Sequence, residues 1–426
     1  MTTNTKSNRV LSGMRPTGRL HIGHYFGALQ NWVRLQGEAT NDCFYFIADW
    51  HALTSDYGDP TAIADNSLQI AIDYLAAGLD PLKSTIFLQS LVPEHAELHL
   101  LLSMVTPLGW LERIPTYKEQ IENVANKDLH TYGFLGYPTL QTADIVMYSD
   151  PGKSLSVPVG EDQVSHIEFS RELVRRFNLF YGFNVSSEIF TAENRKRGRN
   201  DLLKLLDVAA NQPIFPEFAE ITPVQRMIAR SYIRQRVLDM GLENFFEKLT
   251  PGLKPFFSFS SILEEPGVLL TLTPRIPGLD GRKMSKSYGN AITLSESDAD
   301  IRSKTKVMVT DPARKRRTDP GDPDVCPVYD WHKLFSSKET LDWAAHGCRT
   351  AGIGCIECKS RMADHLIEWI EPIRARRIEY EQNPKLVLEI LDSGSIVARK
   401  SAQQTMDRVR TAIFNWPRKR QEIAGL

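Results

Sequence analysis

The sequence predicts an α/β fold with a doubly wound parallel sheet, a helical insertion and a C-terminal helical domain. Three observations lead to this prediction. Short apolar runs alternate with longer helical stretches from residue 9 to about residue 184. The run at residues 43–48 is apolar throughout, which is typical of a strand buried on both faces. Beyond residue 185 the pattern becomes mostly helical. Sheets of this kind bind ligands at the carboxyl ends of their strands.

The predicted elements of the sheet follow in order along the chain. Residues 8–13 predict the first strand, which a loop containing Gly and Pro joins to a helix. The elements after that loop are a helix at 22–36, a strand at 43–48, a helix from Pro60 to Gly78, a strand at 84–89 and a helix at 94–104. Much later, Ser295 and Asp298 have the spacing of a capping box that begins a helix.

The length of 426 residues predicts two or three domains, at about 150 residues for each. The change of pattern near residue 185 indicates an insertion, and a loop rich in Gly, Pro and Lys follows it. We therefore divide the chain into a first catalytic part at 1–184, a helical insertion at 185–274, a completion of the catalytic domain at 275–310 and a helical domain at 311–426.

The composition is ordinary for a globular chain, with 42% hydrophobic and 24% charged residues. It excludes a largely disordered protein, a collagen and a small disulfide-rich domain. The 51 Lys and Arg residues nearly balance the 52 Asp and Glu residues, so the whole chain is no polycation, although local basic faces remain compatible with this balance. The polar first residues and the lack of any long apolar run predict a cytoplasmic protein without a membrane segment.

The first motif with chemical content lies at residues 12–24, between a predicted strand and a predicted helix. Backbone N–H groups and the helix dipole make such a position an anion site, and Gly13 and Gly18 would allow phosphate to approach closely. His21 and His24 are three residues apart, so both would face the same side of the first helical turn. The alternative is a glycine-containing turn with two surface histidines.

The second motif is the sequence Lys-Met-Ser-Lys-Ser at residues 283–287. Lys283 and Lys286 flank hydroxyl groups in a loop, an arrangement that suits a triphosphate. By itself this pentapeptide would be a solvated loop.

Asp144 has a predicted position on an apolar helix face. The segment 137–148 reads as a helix, and Leu140, Met147 and Tyr148 share that face with Asp144. A buried carboxylate needs a hydrogen-bond donor. An indole N–H would supply one, because it donates and does not accept. The alternative is an ion pair with a nearby Arg or Lys.

These segments together resemble the class I aminoacyl-tRNA synthetases. The chain has their His-Ile-Gly-His signature at 21–24 and their Lys-Met-Ser-Lys-Ser signature at 283–287, both unaltered. The blocks Ala-Asp-Ile at 143–145 and Pro-Val-Gly-Glu-Asp-Gln at 158–163 resemble the tryptophanyl subclass, whereas tyrosyl relatives normally have a Gly-Ser-Asp-Gln type of block. The resemblance implies a Rossmann-type catalytic domain, an anticodon-facing C-terminal domain, and L-tryptophan, ATP with Mg²⁺ and tRNA(Trp) as ligands of a homodimer.

The resemblance also implies roles for individual residues. Asp144 would hold the indole nitrogen, and Gln163 and Tyr137 would contact the α-amino group, with His51 in the same substrate-binding set. The implied catalytic residues are His21, His24, Lys118, Lys283 and Lys286. The implied ATP-binding residues are Arg15, Pro16, Thr17, Gly23, His24, Gly160, Glu161, Asp162, Ile276, Lys283, Met284, Ser285, Lys286 and Ser287.

Four of the five cysteines, Cys326, Cys348, Cys355 and Cys358, fall within 33 residues. A reducing compartment makes structural disulfides improbable. Four thiolates at such spacing are able to form a tetrahedral site, so we expect metal ligands. Some bacterial tryptophanyl-tRNA synthetases carry a [4Fe–4S] cluster on nearly this pattern, and zinc is the alternative. Buried cysteines that act only as small hydrophobes are the third possibility.

Other functions remain open at this point. A tyrosyl enzyme on the same scaffold, a catalytically inactive relative and a nucleotidyltransferase that uses no tRNA are the alternatives. The insertion is expected to be structural or to contact tRNA, because tryptophan is too large to need an editing site.

Overall fold

The computed structural model describes residues 7–115, 117–118, 121, 128–207, 221–270 and 276–425, with the side chains of 162, 195–197 and 287 left out. Its central sheet has five parallel strands in the order β3-β2-β1-β4-β7, and β5 and β6 form a separate antiparallel pair. The strands are β1 (Asn8–Met14), β2 (Asn41–Ile47), β3 (Ser84–Leu88), β4 (Ser154–Val159), β5 (Phe183–Val185), β6 (Phe257–Phe259) and β7 (Gly267–Leu270).

Helices cover both faces of this sheet. Those before the insertion are α1 (Ile22–His24), α2 (Gln30–Gln36), α3 (Asp49–Asp56), α4 (Ile63–Ala77), α5 (Glu94–Ser103), α6 (Leu108–Leu111), α7 (Tyr132–Leu135), α8 (Tyr137–Val146) and α9 (Val164–Gly182). The later ones are α10 (Ala192–Leu206), α11 (Pro223–Met240), α12 (Leu242–Glu247), α13 (Asp298–Lys306), α14 (Pro327–Phe335), α15 (Lys338–Arg349), α16 (Cys355–Glu381), α17 (Pro384–Ile413) and α18 (Trp416–Ala424). Within the described residues, no helix is long and apolar enough to cross a membrane.

Strand β2 shows why the sheet is buried on both faces. Successive side chains of a strand point to opposite faces. Phe44 and Phe46 lie in one hydrophobic core, whereas Cys43, Tyr45 and Ile47 lie in the other. The continuous apolar run therefore does what the sequence predicted, and the parallel α/β fold is confirmed.

Two local expectations need correction. The predicted helix at 22–36 contains a π-helical stretch, Tyr25–Leu29, between its two α-helical parts. The capping residue of α13 is Ser297, whose side chain accepts from the backbone N–H of Asp300, so this helix begins two residues later than predicted. Ser295 instead accepts a hydrogen bond from the Arg19 side chain.

The insertion has a hydrophobic core of its own, which includes Phe183, Ile233, Phe245 and Phe257. Helices α10, α11 and α12 and the β5–β6 pair supply it. However, β7 lies within the predicted insertion range of 185–274 and pairs with β4 in the central sheet. The separate unit therefore ends before residue 267. The sequence analysis placed its end too late because a four-residue edge strand is too short to be distinguished from a loop in the sequence pattern.

The C-terminal helices are not a detached domain, because they close over the sheet. Helix α17 lies directly on β3, where Gly394 is so close that a Cβ atom there would be 1.9 Å from the Ile86 carbonyl oxygen. Ala398 and Met406 of α17 join the core that contains Phe44. The predicted segment 311–426 is thus divided, because α14 and the first half of α16 pack instead around Ile22 and the signature loops.

Candidate active site

The site lies where the order of the strands reverses. Strands β1, β2 and β3 proceed to one side, and β4 lies on the other side of β1. In a doubly wound sheet this reversal opens a crevice at the carboxyl ends of the strands. A cavity of about 510 Å³ occupies that position, and residues at the ends of β1 and β4 line it. Predicted site residues that also line it are Arg15, His24, His51, Tyr137, Asp144, Gly160 and Gln163.

The two histidines of the first signature hold each other in place. Nδ1 of His21 accepts a hydrogen bond from the backbone N–H of His24 at 3.3 Å, and Nδ1 of His24 accepts from the backbone N–H of His21 at 3.2 Å. The rings stack with their centroids 3.6 Å apart. Because each Nδ1 is an acceptor, the proton of each neutral ring lies on Nε2, which is therefore a donor.

Both rings are neutral at pH 7. Burial, and then the charge of Lys286, lower the pKa of His21 to about 4. Burial, His21 and Lys286 hold the pKa of His24 well below its usual value. The pair therefore offers N–H donors rather than positive charges, which answers the alternative of two solvated surface histidines.

The second signature lies against the first. Nζ of Lys286 donates to the carbonyl oxygens of Thr17 at 2.6 Å and Arg19 at 3.1 Å. Gly18 between them has a φ of +98°, a conformation that side chains rarely adopt, and its position is 3.3 Å from Lys286 Nζ when a Cβ is built there. Met284 is buried beside Gly23. The two signatures are therefore in contact with each other, and their residues lie in one site.

The other members of the predicted ATP set occupy different places. Ser285 donates its backbone N–H to the buried Asn290, which shapes the loop. Ile276 is buried in the core that contains Met284, Lys283 is exposed, and Glu161 is exposed after β4. Pro16 is buried and Thr17 exposed in the loop after β1, whereas the side chains of Asp162 and Ser287 lie outside the described residues. Lys118 is exposed and does not line the cavity.

Arg15 follows β1 directly and points into the cavity. Its guanidinium donates to the Ser55 hydroxyl and lies 4.0 Å from the Asp56 carboxylate. Burial lowers the pKa of Arg15, and the charge of Asp56 opposes that effect. A positive charge held at the end of β1 favours an anionic ligand at this position.

Asp144 of α8 is buried, with 1% of its surface exposed, and it accepts three hydrogen bonds from the protein. Nε2 of Gln89 at 2.7 Å and Nδ1 of His95 at 2.6 Å contact Oδ1, and Nε2 of His51 contacts Oδ2 at 2.8 Å. Burial alone would raise the pKa of Asp144, but the hydrogen bonds and charge of His51 and His95 hold it at about 2. The carboxylate is therefore ionised throughout the physiological range.

This network corrects the reasoning from the sequence. Asp144 needs neither a ligand nor an Arg or Lys to stabilise it, since two histidines and an amide already donate to it. A carboxylate has about four acceptor positions, so one remains on Oδ2. Asp144 lines the cavity. Gln89 and His95 were missed. Gln89 directly follows β3, so its place at the carboxyl end of a strand was the available signal.

Two more side chains frame the cavity. Tyr137 begins α8, and its hydroxyl lies 3.2 Å from Nε2 of His166 on α9. Gln163 stands in the short 3₁₀ turn after β4 and lines the same cavity. Polar groups from α8 and from the β4–α9 connection thus face the ends of β1 and β2.

The four clustered cysteines come together away from this cavity. Cys326 precedes α14, Cys348 is near the end of α15, and Cys355 and Cys358 lie in the first turn of α16. Burial, followed by the charges of the other three thiols, raises the pKa of Cys358 to about 12. Nε2 of His332, which was not predicted, lies 3.4 Å from Cys358 Sγ. Even so, no group of three or more His, Cys, Asp or Glu side chains in the described part of the chain is arranged to hold a metal ion.

The sequence and the fold both match known proteins. The family described as tRNA synthetases class I (W and Y) matches residues 3–207 and 250–371. The chain is 49% identical to the tryptophan–tRNA ligase of Ralstonia nicotianae, over 95% of this chain and 98% of that protein. It is 40% identical to the tryptophan–tRNA ligase of Thermotoga maritima, with coverage of 95% and 98%.

A solved structure is also similar to this chain. The tryptophanyl-tRNA synthetase of Campylobacter jejuni, in complex with ADP and tryptophan, has a TM-score of 0.68 and 28% identity, and the match covers 95% of this chain and 99% of that one. The chain therefore belongs to the class I tRNA synthetases of the tryptophan and tyrosine group, and it is an aminoacyl-tRNA ligase. Within that group it belongs to the tryptophanyl branch, so the resemblance found in the sequence is confirmed.

Proposed function

We propose a role for each group of site residues in this chain. The chain activates tryptophan with ATP and joins it to tRNA. The observation that carries the proposal is the meeting of both signatures beside a cavity whose wall contains an ionised carboxylate, Asp144, which accepts three hydrogen bonds from the protein. Each end of the cavity then has one task. The Asp144 end selects the amino acid, and the end formed by the two signatures holds the nucleotide.

Asp144 selects tryptophan through the remaining acceptor position of Oδ2. An indole N–H is a donor without acceptor character, so it fits a carboxylate that is ionised and otherwise saturated. Gln89 and His95 fix Oδ1, and Tyr148 fixes His95 from behind, at 2.7 Å from its Nε2. A phenolic hydroxyl is also a donor, so discrimination against tyrosine additionally depends on the shape of the cavity.

Tyr137 and Gln163 hold the α-amino group. Tyr137 lies about two helical turns before Asp144 on α8, and Tyr137, Gln163 and Asp144 all line the cavity. Tyr137 and Gln163 carry uncharged oxygen atoms that accept from an ammonium group. This arrangement directs the carboxylate of the amino acid towards the loop after β1, where Arg15 lies. Lys118 would act near that carboxylate and the α-phosphate.

ATP occupies the side of the two signatures. His24 and the backbone around Gly23 contact phosphates, and the neutral Nε2–H groups of His21 and His24 donate to phosphate oxygens. Gly160 and its successors Glu161 and Asp162 contact the ribose. Lys283 and Lys286 contact the triphosphate. Mg²⁺ accompanies ATP as its counter-ion.

The first chemical step needs no protein nucleophile. The tryptophan carboxylate attacks the α-phosphorus, a bond to the bridging oxygen breaks, and pyrophosphate leaves with its magnesium. Catalysis is positioning plus stabilisation of negative charge on the phosphates, which the paired histidines and the lysines supply. In the second step the 3′-terminal adenosine of tRNA(Trp) takes the tryptophanyl group and AMP leaves. The enzyme would act in the cytoplasm as a homodimer.

The four cysteines form a separate metal-binding unit in this proposal. Four neighbouring thiols are the donor set that a [4Fe–4S] cluster or Zn²⁺ requires, and Cys326, Cys348, Cys355 and Cys358 would be the ligands. A metal there would order the segment between α14 and α16 and would take no part in adenylate formation. Iron and zinc analysis of anaerobically purified protein tests this part; a metal-free protein would contradict it.

Pyrophosphate exchange with tryptophan and with tyrosine, followed by aminoacylation of purified tRNA(Trp), tests the proposed function. We expect exchange with tryptophan alone and charging of tRNA(Trp). Equal exchange with tyrosine would refute the selectivity for tryptophan proposed for this cavity. Exchange without charging would refute the ligase function.

A further inference from the structure

The insertion carries a second cavity, of about 740 Å³, between α9 and α11. Four arginines line it: Arg176 of α9, and Arg226, Arg230 and Arg234 of α11. The three on α11 are four residues apart, so they share one face of the helix. No Asp or Glu is present among the described residues that line this cavity, which we call the arginine groove.

The charges of the arginine groove are not balanced within the described chain. Burial, and then the charge of Arg230, lower the pKa of Arg234, and Nε of Arg234 is buried without a hydrogen-bond partner in that part of the molecule. Like charges four residues apart destabilise a helix. Among the described residues, this cluster of like charges is unfavourable, and a bound anion would relieve it.

Other arginines on helix α9 have carboxylate partners. Arg175 pairs with Glu265 at 2.8 Å and with Glu172 at 2.7 Å, and Arg171 pairs with Glu168 at 3.0 Å. The sequence thus supplies carboxylates to the arginines on one face of α9. The lack of such partners in the arginine groove is a local property and not a general feature of this helix.

Two of the four guanidinium groups of the groove, those of Arg176 and Arg230, are held in place. Nε of Arg176 donates to the Val105 carbonyl at 2.7 Å, and its guanidinium lies 4.9 Å from the ring centre of Phe180. Arg230 donates to the Ser187 hydroxyl at 3.0 Å and lies 5.6 Å from the ring centre of Phe190. Donors fixed in this way lose little side-chain entropy when an anion binds, because the guanidinium planes are already oriented.

The arginine groove is separated from the active site by part of helix α9. Helix α9 begins at Val164, directly after Gln163, and Arg176 is twelve residues further on. At about 1.5 Å per residue, the groove lies roughly 18 Å along α9 from the amino-acid site.

We propose that the arginine groove binds the phosphate backbone of the tRNA substrate and positions its 3′ end for the transfer step. The inference rests on the proposed function, which supplies tRNA as the polyanion. Arginine contacts to phosphates provide affinity and register without reading bases. The groove therefore acts on the transfer step and is not needed for adenylate formation.

The test compares two double variants that each remove two positive charges. Arg226→Gln with Arg230→Gln changes the groove, and Arg171→Gln with Arg175→Gln is the matched control on the ion-paired face of α9. The KM for tRNA(Trp) in aminoacylation is measured over a range of salt concentrations. Pyrophosphate exchange, thermal unfolding and sedimentation are measured on the same samples.

We expect the KM for tRNA(Trp) to rise several-fold in the groove variant. The slope of log KM against log salt concentration should fall by about two, one for each phosphate that the variant no longer neutralises. The control should change far less, and exchange should be unchanged in both. An unaltered KM and salt dependence, equal effects in both variants, or a change of oligomeric state in place of the KM effect would each overturn the inference. Failure of the unmodified enzyme in exchange would instead refute the proposed function.

Discussion

Replacing Asp144 with asparagine removes the charge from the floor of the amino-acid site and keeps its shape. The carboxylate now accepts from Gln89, His95 and His51 and has one acceptor position left. An amide has one oxygen and one NH₂ group, so it is unable to accept at both ends. If its oxygen faces Gln89 and His95, its NH₂ group faces the Nε2–H of His51 and the incoming indole N–H.

The magnitude follows from that mismatch. A hydrogen bond to a charged partner is worth about 1.5–3 kcal/mol, so its loss lowers kcat/KM for tryptophan by about 10- to 150-fold. A donor that then faces a donor adds to this loss. ATP contacts neither Gln89 nor His95 in the proposed arrangement, so the KM for ATP should change by less than about threefold.

Pyrophosphate exchange at varied tryptophan and varied ATP separates these two effects. Gln89→Glu is a poor control because it adds a charge, whereas Thr54→Ser changes the cavity wall slightly and leaves the network intact. Thermal unfolding shows whether the Asp144 variant is folded. If a folded Asp144→Asn protein keeps its kcat/KM for tryptophan, Asp144 is not the partner of the indole.

The pKa of Asp144 leads to a linked expectation. Its value of about 2 in the folded protein is below the ordinary value of 3.8, so the ionised form stabilises the fold. That stabilisation, on the order of 2 kcal/mol, is fully present above pH 4 and is lost as the pH falls through 2. Between pH 6 and 8 Asp144 itself should impose no pH dependence on kcat/KM for tryptophan, and a pH profile of exchange checks this.

The remaining predictions concern three other places. Lys286→Ala should slow adenylate formation at least tenfold and leave tryptophan affinity unchanged, as measured by single-turnover kinetics and equilibrium binding, because its charge acts on the phosphates. Gly394→Ala should lower the free energy of unfolding by about 3 kcal/mol or more, whereas the neighbouring exposed Ser393→Ala should change it by less than about 0.5 kcal/mol in denaturant titration. Cys358→Ser should remove bound iron or zinc and leave pyrophosphate exchange largely intact; retained metal would contradict the ligand assignment.

The parallel sheet was predictable because β1, β2 and β3 each have a local sequence signal, whereas β4 was not predicted. The run at 43–48 has no room for a polar face, and the structure places its residues alternately in two cores. Strand β7 was missed, since four residues between prolines and loops carry no periodicity that distinguishes them. The close packing of α17 on β3 was also beyond sequence reasoning, because the glycine that allows it, Gly394, has no visible partner until the chain folds.

Site residues that are close together in the sequence were predictable. Contacts between residues from separate helices and strands were not. His21 and His24 are neighbours in sequence, so their shared helical turn follows from spacing. The donors to Asp144 come from three separate elements, α3, the turn after β3, and α5. A sequence shows that a buried carboxylate must be satisfied, but it does not show by which groups. The sequence analysis named an indole N–H, or an Arg or Lys, as the donor to Asp144 and did not identify His51, Gln89 and His95 as its protein donors.

The contact between Lys286 and the loop after β1 brings the two signatures together. The lysine donates to the carbonyls of Thr17 and Arg19, and the left-handed Gly18 between them allows the approach. Phosphate oxygens are charged acceptors and bind an ammonium group more strongly than neutral carbonyls do. A triphosphate beside His24 would therefore compete for Lys286, and the same lysine would exchange its hydrogen bonds within the protein for hydrogen bonds with the substrate. The positive charge is thus kept next to the nucleotide site before ATP binds. Burial is the main cause of the lowered pKa of His21 and His24, and the charge of Lys286 lowers both further, so the rings stay in the neutral, donating form.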